Sequence, residues 1–420
     1  GIIKENSQSV FFEQSEEINK IFIDVSNRKN NILHLIKDEQ IKNYKFDDNY
    51  QYFDFEEFKD MAVSLKGKNQ IKNTAICLEV IKILSSVVKE IFVEVFMKIA
   101  VIGGAGYIGS HTVRELLDRG HTVKVFDNLS SGLRQNLFAE AEFVEGDILS
   151  EKAIGDFFFF FSPEGVVHLA AFKAAGESML LPEKYSVNNI TGSLNILNAA
   201  VSAGVKYFVF SSSAATYGAP KYMPVDENHP TEPENYYGYT KLSIEGFLGW
   251  YSKLKNLRFA ALRYFNAAGY DVNGRITGLE KNPANLIPVV MEALTGKRKE
   301  LLVFGDDYDT HDGTGVRDYI HVNDLARGHA EAFEYLEREN KDLIVNLGVS
   351  QGTSVLDIIR AAEKASGKKV PYRIVERRPG DPASLVANPN KAFELLGWKA
   401  EYSDIDTIIE TTWRAYQANL

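Results

Sequence analysis

Two residues four positions apart, Tyr237 and Lys241, have the types and spacing needed for proton chemistry. They lie in YYGYTKLSIEGFLGWY, a segment of helical character in which residues i and i+4 share one helix face. A nearby ammonium group stabilises a phenolate and lowers the pKa of a tyrosine, which would make Tyr237 a usable base near neutral pH. Tyr236 and Tyr239 are neighbours that lack this spacing to Lys241.

A serine-rich loop offers a second polar group. The sequence SSSAATYG at 211–218 falls where a strand is expected to end, and Ser213 is placed to bridge a substrate hydroxyl and the phenol of Tyr237. Serine runs also occur in solvated loops, and a Tyr–Lys pair at this spacing is common on helices. The combination of the two features favours acid–base catalysis over either bland interpretation.

Residues 98–111, KIAVIGGAGYIGSH, predict a dinucleotide site. A short apolar strand leads into a glycine turn and an amphipathic helix, an arrangement that brings the backbone close to a pyrophosphate at the helix N-terminus. The next strand, TVKVFD, ends in Asp127, whose carboxylate can accept hydrogen bonds from the adenosine ribose and would repel a 2′-phosphate. The pattern favours NAD over NADP. The turn glycines are Gly103, Gly104, Gly106 and Gly109.

Strands and helices alternate from residue 97 onward and predict an α/β fold with a doubly wound parallel sheet. The phenylalanine run at 157–161 is expected to pack a crossover helix on the sheet. After about residue 270 the alternation fades, which predicts a smaller lobe over the carboxyl ends of the strands. Beyond the first two strands, the expected elements are strands at 142–148, 166–171, in 206–218 and at 258–269, and a helix at 194–205.

Composition narrows the classes of protein. The 420 residues exceed one ordinary core, and a net charge of −10 argues against non-specific nucleic-acid binding. The single cysteine, Cys77, excludes an intrachain disulfide and a thiolate metal site, and the eight histidines show no ligand spacing. The sequence shows no signal peptide, and the most apolar stretch, 75–96, carries five charges and predicts an amphipathic helix or helix pair. We expect a cytoplasmic protein without metal or membrane contact.

Residues 1–96 differ in composition from the rest and are expected to form an N-terminal extension without a catalytic role. Met97 directly precedes the first nucleotide-binding strand, whereas position 1 is glycine. The segment at 64–84 resembles the G-x-H-Q-x-x-N motif of Mur-ligase-like enzymes such as folylpolyglutamate synthases, with Asn69 in place of histidine. Since this region contains no P-loop, even a true relationship implies a fragment that does not bind ATP.

From 97 to 420 the chain resembles the extended short-chain dehydrogenase/reductases, and within them the UDP-glucose (UDP-galactose) 4-epimerases. The resemblance rests on blocks spread over the whole span: GGAGYIGSHT, FDNLSSG, VVHLAAFKAAGES, FSSSAATYG, YYGYTKLSIE, LRYFNAAG, DGTGVRDYIHVNDLA and ERRPGDPA. It implies an NAD-binding Rossmann domain at 97–269 and a UDP-sugar-binding lobe at 270–420, with elements of the lobe returning to the sheet. It also implies a homodimer.

The resemblance assigns the chemistry of the site. Tyr237 is the acid/base, Lys241 holds the nicotinamide ribose and tunes the tyrosine, and Ser213 relays the proton. The sugar C4 loses its hydroxyl proton to Tyr237 and its hydride to NAD, and the 4-keto sugar turns its other face before taking the hydride back. The implied cofactor residues are Gly103, Gly106, Tyr107, Ile108, Gly109, Asp127, Asn128, Asp147, Ile148, Leu169, Ala170, Lys173, Asn189, Ser211, Tyr237, Lys241 and Tyr264.

UDP-sugar recognition maps onto the lobe by the same resemblance. Arg317 and Arg378 offer planar forks suited to diphosphate oxygens, although a surface ion pair is the commoner fate of an arginine. Asp381 would accept from the uridine ribose. The implied substrate residues are Ser213, Asn266, Asn285, Leu286, Phe304, Arg317, Arg378, Asp381 and Leu385.

Leu385 bears on sugar specificity. Some family members place a bulky tyrosine at this position, which closes the pocket against 2-acetamido sugars, whereas leucine is smaller and compatible with UDP-GlcNAc and UDP-GalNAc. The alternative is that Leu385 only packs and its neighbours close the pocket.

Rival functions are a 4,6-dehydratase, a UDP-glucuronate 4-epimerase and a non-catalytic NAD-binding protein. The dehydratase lacks support because Ala214 and Ala215 follow Ser213 where that chemistry needs an acidic pair.

Overall fold

The computed structural model describes residues 3–4, 7–46, 50–56, 58–63, 68–87, 96–281, 283–378 and 381–420. The chain separates into two compact units, Gly1–Glu94 and Val95–Leu420. Each unit has a hydrophobic core of its own. None of the helices in the described part of the chain has the length and apolar character needed to cross a bilayer.

The smaller unit contains a parallel strand pair, β1–β2, and a three-stranded antiparallel sheet, β3–β4–β5. Phe53 and Phe55 of the antiparallel sheet are buried with Ile71 and Leu78 of the long helix α2. That helix covers the first part of the predicted 75–96 stretch; residues 88–95, like 64–67 of the Mur-ligase-like segment, lie outside the described residues. The elements are β1 (Gln8–Phe12), α1 (Glu16–Arg28), β2 (Ile32–Ile36), β3 (Ile41–Phe46), β4 (Gln51–Phe55), β5 (Phe58–Val63) and α2 (Lys68–Val87).

The larger unit is built from thirteen strands and eleven helices among its described residues. The strands are β6 (Lys98–Ile102), β7 (Thr122–Asp127), β8 (Glu142–Glu145), β9 (Gly165–His168), β10 (Tyr207–Ser211), β11 (Arg258–Tyr264), β12 (Asn266–Ala268), β13 (Leu301–Phe304), β14 (Val316–His321), β15 (Leu343–Leu347), β16 (Gly352–Ser354), β17 (Tyr372–Val375) and β18 (Ser384–Leu385). The helices are α3 (Tyr107–Asp118), α4 (Glu151–Phe161), α5 (Ala175–Leu180), α6 (Pro182–Tyr185), α7 (Gly192–Ser202), α8 (Tyr236–Lys255), α9 (Leu286–Leu294), α10 (Val322–Glu339), α11 (Val355–Ser366), α12 (Asn390–Leu396) and α13 (Ile405–Gln417).

Seven of these strands form one parallel sheet in the order β15-β11-β10-β9-β6-β7-β8. The predicted doubly wound parallel sheet is therefore confirmed. Chain order reverses between β6 and β9, and in open α/β sheets this switch point is where a crevice opens at the carboxyl ends of the strands. Three predicted strands differ from those observed, at 142–148, at 166–171, where β9 ends at His168, and at 258–269. The strand expected at 142–148 ends at Glu145, and a turn follows in which the Asp147 carboxylate accepts from the Leu149 amide at 2.8 Å.

Helices cover both faces of the sheet. Helices α3 and α10 bury Leu116 and Phe333 against one face, whereas α4, α7 and α8 pack on the other. The prediction for the phenylalanine run is only half right, because Phe159 and Phe160 are 74% and 76% exposed while Phe157 and Phe158 are buried. Successive helical residues point about 100° apart, so five in a row cannot all face the sheet.

The remaining strands belong to a lobe whose core lies between α9, α11 and α13. It contains the sheet β12-β14-β16, with β18 also paired to β14, and the parallel pair β13–β17. The single strand predicted at 258–269 is wrong: β11 ends at Tyr264, and β12 begins at Asn266 in the lobe sheet. Only Phe265 separates them, so one continuous apolar run serves two sheets.

Candidate active site

Helix α8 places Tyr237 in its first turn, and two polar side chains fix that start. The Asn235 side chain accepts from the Gly238 amide at 2.9 Å, which caps the helix, and the buried Ser178 hydroxyl accepts from the Tyr237 amide at 3.0 Å. Helical spacing then brings Lys241 to the same face, with its Nζ 5.9 Å from the centre of the Tyr237 ring. The predicted pair is brought together.

Lys241 is 2% exposed, and its Nζ donates to the main-chain oxygen of Ser211 at 2.7 Å. Burial lowers the pKa of Lys241 to about 7, although the Glu245 carboxylate acts in the opposite direction. The ammonium is thus held at the carboxyl end of β10 and is poised to change charge near neutral pH.

The spacing of the pair predicts that Lys241 lowers the pKa of Tyr237, but two other influences shift this pKa in the structure. Burial raises the pKa of Tyr237, and the opposing influence is a side-chain hydrogen bond with Ser213. The Lys241 ammonium is directed at the carbonyl of Ser211 and not at the phenol. Desolvation therefore outweighs the charge effect that spacing alone suggests.

The three consecutive serines after β10 have three different partners. The Ser211 hydroxyl is hydrogen-bonded to the phenol of Tyr264, the Ser212 hydroxyl donates to Glu245 Oε1 at 2.5 Å, and Ser213 faces Tyr237. The loop is accordingly an ordered part of the site and not merely a solvated turn.

Two glycines of the turn at 103–109 have no space for a Cβ atom. A Cβ on Gly103, whose φ is +89°, would lie 2.7 Å from the Ala170 amide nitrogen, and one on Gly109 would lie 2.1 Å from the Gly103 oxygen. At Gly106, the N-cap of α3, the nearest atom would be 3.3 Å away, so this side of the turn is open for a ligand to approach the backbone.

Asp127 and Asn189 brace loops at this edge of the sheet. The Asp127 carboxylate, 8% exposed, accepts from the amides of Ala105 and Leu129 at 3.0 and 2.8 Å, and burial raises its pKa. The buried Asn189 side chain bonds both the amide and the carbonyl of Phe172 at 2.9 and 3.0 Å. Both side chains hold the backbone that would surround a dinucleotide.

The other predicted cofactor residues lie at the same edge. Tyr107 and Ile108 open α3, and the Leu169 and Ala170 amides donate to the carbonyl of Ile102 at 2.9 and 3.1 Å. Asn128 Nδ2 donates to Asp147 at 3.0 Å, and Ile148 is buried next to it in sequence. Lys173 forms an ion pair with Glu280, a partner that sequence reasoning missed.

The predicted substrate residues of the lobe fall into two contacting groups. Arg317 donates to the carbonyls of Val316 and Pro382, both at 2.9 Å, lies 3.6 Å from the Asp381 carboxylate and pairs in register with Leu385. The exposed Arg378 guanidinium lies 3.8 Å from the ring centre of Phe304. The remaining three are Asn266, which donates to the Asp318 carbonyl at 3.0 Å, and Asn285 and Leu286, which begin α9.

The sequence did not predict a buried ion pair between Glu245 of α8 and Arg263 of β11. Glu245 and Arg263 are each 5% exposed and are joined by two hydrogen bonds of 2.9 and 2.5 Å. The available signal was the spacing of Glu245, four residues beyond Lys241 on one helix face. Its arginine partner lies on another element, so no local pattern links the two.

The model of the NAD dependent epimerase/dehydratase family matches residues 99–348. A curated UDP-glucose 4-epimerase of Lacticaseibacillus casei is 45% identical over 322 residues, which cover 76% of this chain and 97% of that protein. The chain belongs to the NAD dependent epimerase/dehydratase family.

Solved structures of other family members agree in fold. A UDP-glucose 4-epimerase of Brucella ovis in complex with NAD has a TM-score of 0.74 and 43% identity, covering 76% of this chain and 98% of that one. The UDP-Glc/GlcNAc 4-epimerase of Campylobacter jejuni has a TM-score of 0.68 and 38% identity, covering 76% and 99%. This chain thus aligns with nearly the whole length of these relatives.

The residues present fit NAD, the cofactor of this family. The glycine turn leaves the backbone accessible at Gly106, and the N-terminus of α3 provides unpaired amides and a positive dipole end for a pyrophosphate. Asp127 at the end of β7 stands where a ribose would lie in this fold and disfavours a 2′-phosphate.

Proposed function

We propose that the chain is a UDP-glucose 4-epimerase, which interconverts UDP-galactose and UDP-glucose at C4 with bound NAD. The observation that carries the proposal is the convergence of Ser213, Tyr237 and Lys241 at the carboxyl end of β10, in the same sheet as the glycine turn. Curated relatives that this chain covers over 97–98% of their length carry this name. A dehydratase is disfavoured because Ala214 and Ala215 offer no acid group after Ser213.

The chain's own residues supply proton transfer and positioning. NAD, when bound, supplies a reversible hydride acceptor for the sugar C4. As the phenolate, Tyr237 takes the proton of the C4 hydroxyl by way of Ser213 and returns it to the same oxygen after the 4-keto sugar has turned its other face. Lys241, fixed by the Ser211 carbonyl with its Nζ 5.9 Å from the centre of the Tyr237 ring, is positioned beside the acid–base group. Arg317, Arg378 and Asp381 would hold the UDP while the 4-keto sugar rotates.

The test uses the purified full chain and UDP-galactose with no added NAD, followed by NMR of the C4 epimer. We expect UDP-glucose to form without net NADH, since the cycle regenerates its cofactor. The Tyr237→Phe variant is the control. Equal absence of conversion in both proteins would overturn the proposal and leave a dehydratase-like or non-catalytic NAD protein.

A wider sugar range is a second proposal, and Leu385 is the observation that favours it. It lies on β18 beside Arg317, half-buried and smaller than a tyrosine. We propose that UDP-GlcNAc and UDP-GalNAc are also substrates. The same NMR assay on each acetamido sugar tests this, and inactivity on both would remove the idea.

We propose a homodimer that packs through exposed apolar side chains of helices α8 and α5. Tyr239, Trp250 and Leu254 of α8 are 51%, 62% and 68% exposed, and Leu180 of α5 is 80% exposed. Exposed apolar surface of this kind is typical of protein interfaces. Light scattering should give twice the monomer mass, and Trp250→Glu should reduce it while Phe393→Glu, on α12, does not.

We also propose that residues 1–96 are not catalytic, that 97–269 bind NAD and that 270–420 hold the UDP-sugar. The family match lies wholly within Val95–Leu420, which supports the first boundary. A chain begun at Met97 should keep its specific activity.

We propose a cytoplasmic location on the ground that the reaction couples two soluble ligands, UDP-sugar and NAD. Cell fractionation with an antibody to the chain tests it.

A further inference from the structure

The buried pair Glu245–Arg263 lies on the helix face that carries the catalytic residues. Glu245 follows Lys241 by one turn and Tyr237 by two, so the three side chains share one face of α8. Arg263 donates from Nε to Oε1 and from Nη2 to Oε2 of the carboxylate, the two-pronged geometry in which arginine binds carboxylates most strongly. Removing either partner would leave an unpaired buried charge.

Ser212 connects this ion pair to its two neighbours in the chain, Ser211 and Ser213. Its hydroxyl, 1% exposed, donates to Glu245 Oε1 at 2.5 Å. On one side of it, Ser211 offers the carbonyl that accepts from Lys241, and on the other side Ser213 contacts Tyr237. One carboxylate therefore anchors the backbone between the two contacts that the chemistry needs.

Glu245 also influences the charge of Lys241. The Glu245 carboxylate forms its ion pair with Arg263, and its negative charge raises the pKa of Lys241 against the effect of burial. Nearby His168 stays neutral, because burial and Lys241 lower its pKa to about 3. Without Glu245 the two cations would stand unscreened, and Lys241 would lose its proton at lower pH. The titratable and charged groups around the Lys241 ammonium are Tyr237, Glu245, His168, Arg263 and Tyr264.

We propose that Glu245 is a positioning residue for the Tyr237–Lys241 pair: it fixes the serine segment through Ser212 and, balanced by Arg263, keeps Lys241 cationic. The inference rests on the proposed epimerase function and deepens it. In this proposal Glu245 contacts neither sugar nor cofactor. The geometry and the charge of the acid–base pair nevertheless depend on it.

The experiment compares Glu245→Gln, Glu245→Asp and Ser212→Ala with the unmodified protein, each as the full chain with the NAD it retains on purification. Glu292→Gln is the matched control, since Glu292 also binds an arginine, Arg298, by two hydrogen bonds but lies in the lobe. The readouts are the pH profile of UDP-galactose conversion and the near-ultraviolet titration of the Tyr237 phenolate without sugar, taken as the difference from Tyr237→Phe.

We expect Glu245→Gln to lower kcat by about tenfold or more, with the KM for UDP-galactose within about twofold. Its alkaline limb should move to lower pH by about one unit, because Lys241 deprotonates sooner. Its Tyr237 phenolate should also form at lower pH, because Lys241 is already neutral where the phenol titrates and the variant loses a negative charge beside the buried Arg263. Glu245→Asp keeps the charge and should keep the alkaline limb. Ser212→Ala should lower kcat severalfold without moving that limb, and Glu292→Gln should match the unmodified protein.

A folded Glu245→Gln protein with an unchanged alkaline limb and an unchanged phenolate titration would overturn the proposal, because a merely structural role lowers activity without shifting either. If Glu245→Gln does not fold, Ser212→Ala and Glu245→Asp decide: full kcat in the first, or a shifted limb in the second, contradicts the inference. Failure of the unmodified protein to convert UDP-galactose would overturn the proposed function instead, and the phenolate titration would still test Glu245.

Discussion

The two halves of the candidate site differ in how far the protein itself completes them. At the carboxyl end of β10, Lys241 and Glu245 are buried and each already has a protein partner. In the lobe, the Arg378 guanidinium is exposed over the ring of Phe304, and Arg317 is turned toward main-chain carbonyls. In the half where bonds would change, the side chains are buried and hydrogen-bonded within the protein, whereas in the half expected to hold UDP the Arg378 side chain is exposed to solvent.

This difference matches a division of labour. Groups that stabilise a transition state are most effective when they are already oriented and shielded from water. Groups that only hold the distant part of a substrate contribute binding energy, and their loss is expected to raise KM. The following predictions test whether the two halves separate in this way, beginning with the largest effect.

Replacement of the catalytic phenol should give the largest effect. Tyr237→Phe removes one hydroxyl and should lower kcat by about a thousandfold, the usual scale for losing an acid–base group, with NAD content and thermal stability unchanged. Tyr239→Phe, on the exposed face of the same helix, is the control and should retain full activity. More than about a tenth of normal kcat in Tyr237→Phe would contradict this role.

An arginine of the lobe should affect binding and not chemistry. Arg378→Ala should raise the KM for UDP-galactose by about 10- to 100-fold, because a charge-assisted hydrogen bond is worth about 1.5–3 kcal/mol, and should leave kcat within about threefold. Arg373→Ala, an exposed neighbour paired with Glu300, should change neither. A fall in kcat without a change in KM would erase the distinction between the halves.

The sugar pocket should respond to side-chain size. Leu385→Tyr should reduce conversion of UDP-GlcNAc relative to UDP-galactose by about tenfold or more, since a size change in an apolar pocket is worth about 1–3 kcal/mol. Leu385→Met, nearly equal in volume, should keep the ratio. Competition between the two sugars in one NMR tube measures it directly, and an unchanged ratio in Leu385→Tyr would show that neighbouring residues set the pocket.

Two buried histidines of the larger unit, His168 and His111, should make the protein sensitive to acid. Burial lowers the pKa of His168 to about 3 and that of His111 to about 4, so between these values and about 6.5 the unfolded chain binds more protons than the folded one. Stability should therefore fall as pH drops from about 6.5, by up to about 1.4 kcal/mol per unit for each histidine. Urea unfolding near pH 7 and near pH 5 measures this loss. His168→Gln should reduce it, whereas the exposed His311→Asn should not.

Local features of the site were accessible from sequence. The glycine turn and Asp127 follow apolar strands directly, and Tyr237 and Lys241 share a helix face by spacing alone. Each of these needs only a few neighbouring residues to be recognised. The same reasoning located Ser213, because its loop follows the next apolar run.

Features that depend on distant residues were missed. Arg263 meets Glu245 only once β11 lies beside β10, and the pKa of Tyr237 depends on packing that no spacing reveals. The break between β11 and β12 lies inside one apolar run, so hydrophobicity alone gives no sign of it. The partner of Lys173, Glu280, likewise lies far along the chain.

The place of β15 in the main sheet has a consequence for synthesis on the ribosome. This strand, Leu343–Leu347, covers the outer edge of β11, which ends at Tyr264. At about 5–20 residues per second, the roughly 80 residues between them take about 4–16 seconds to translate. During that time the nascent sheet carries an unpaired edge, and unpaired edges recruit other chains. A chaperone acting on the growing chain would have its clearest target there.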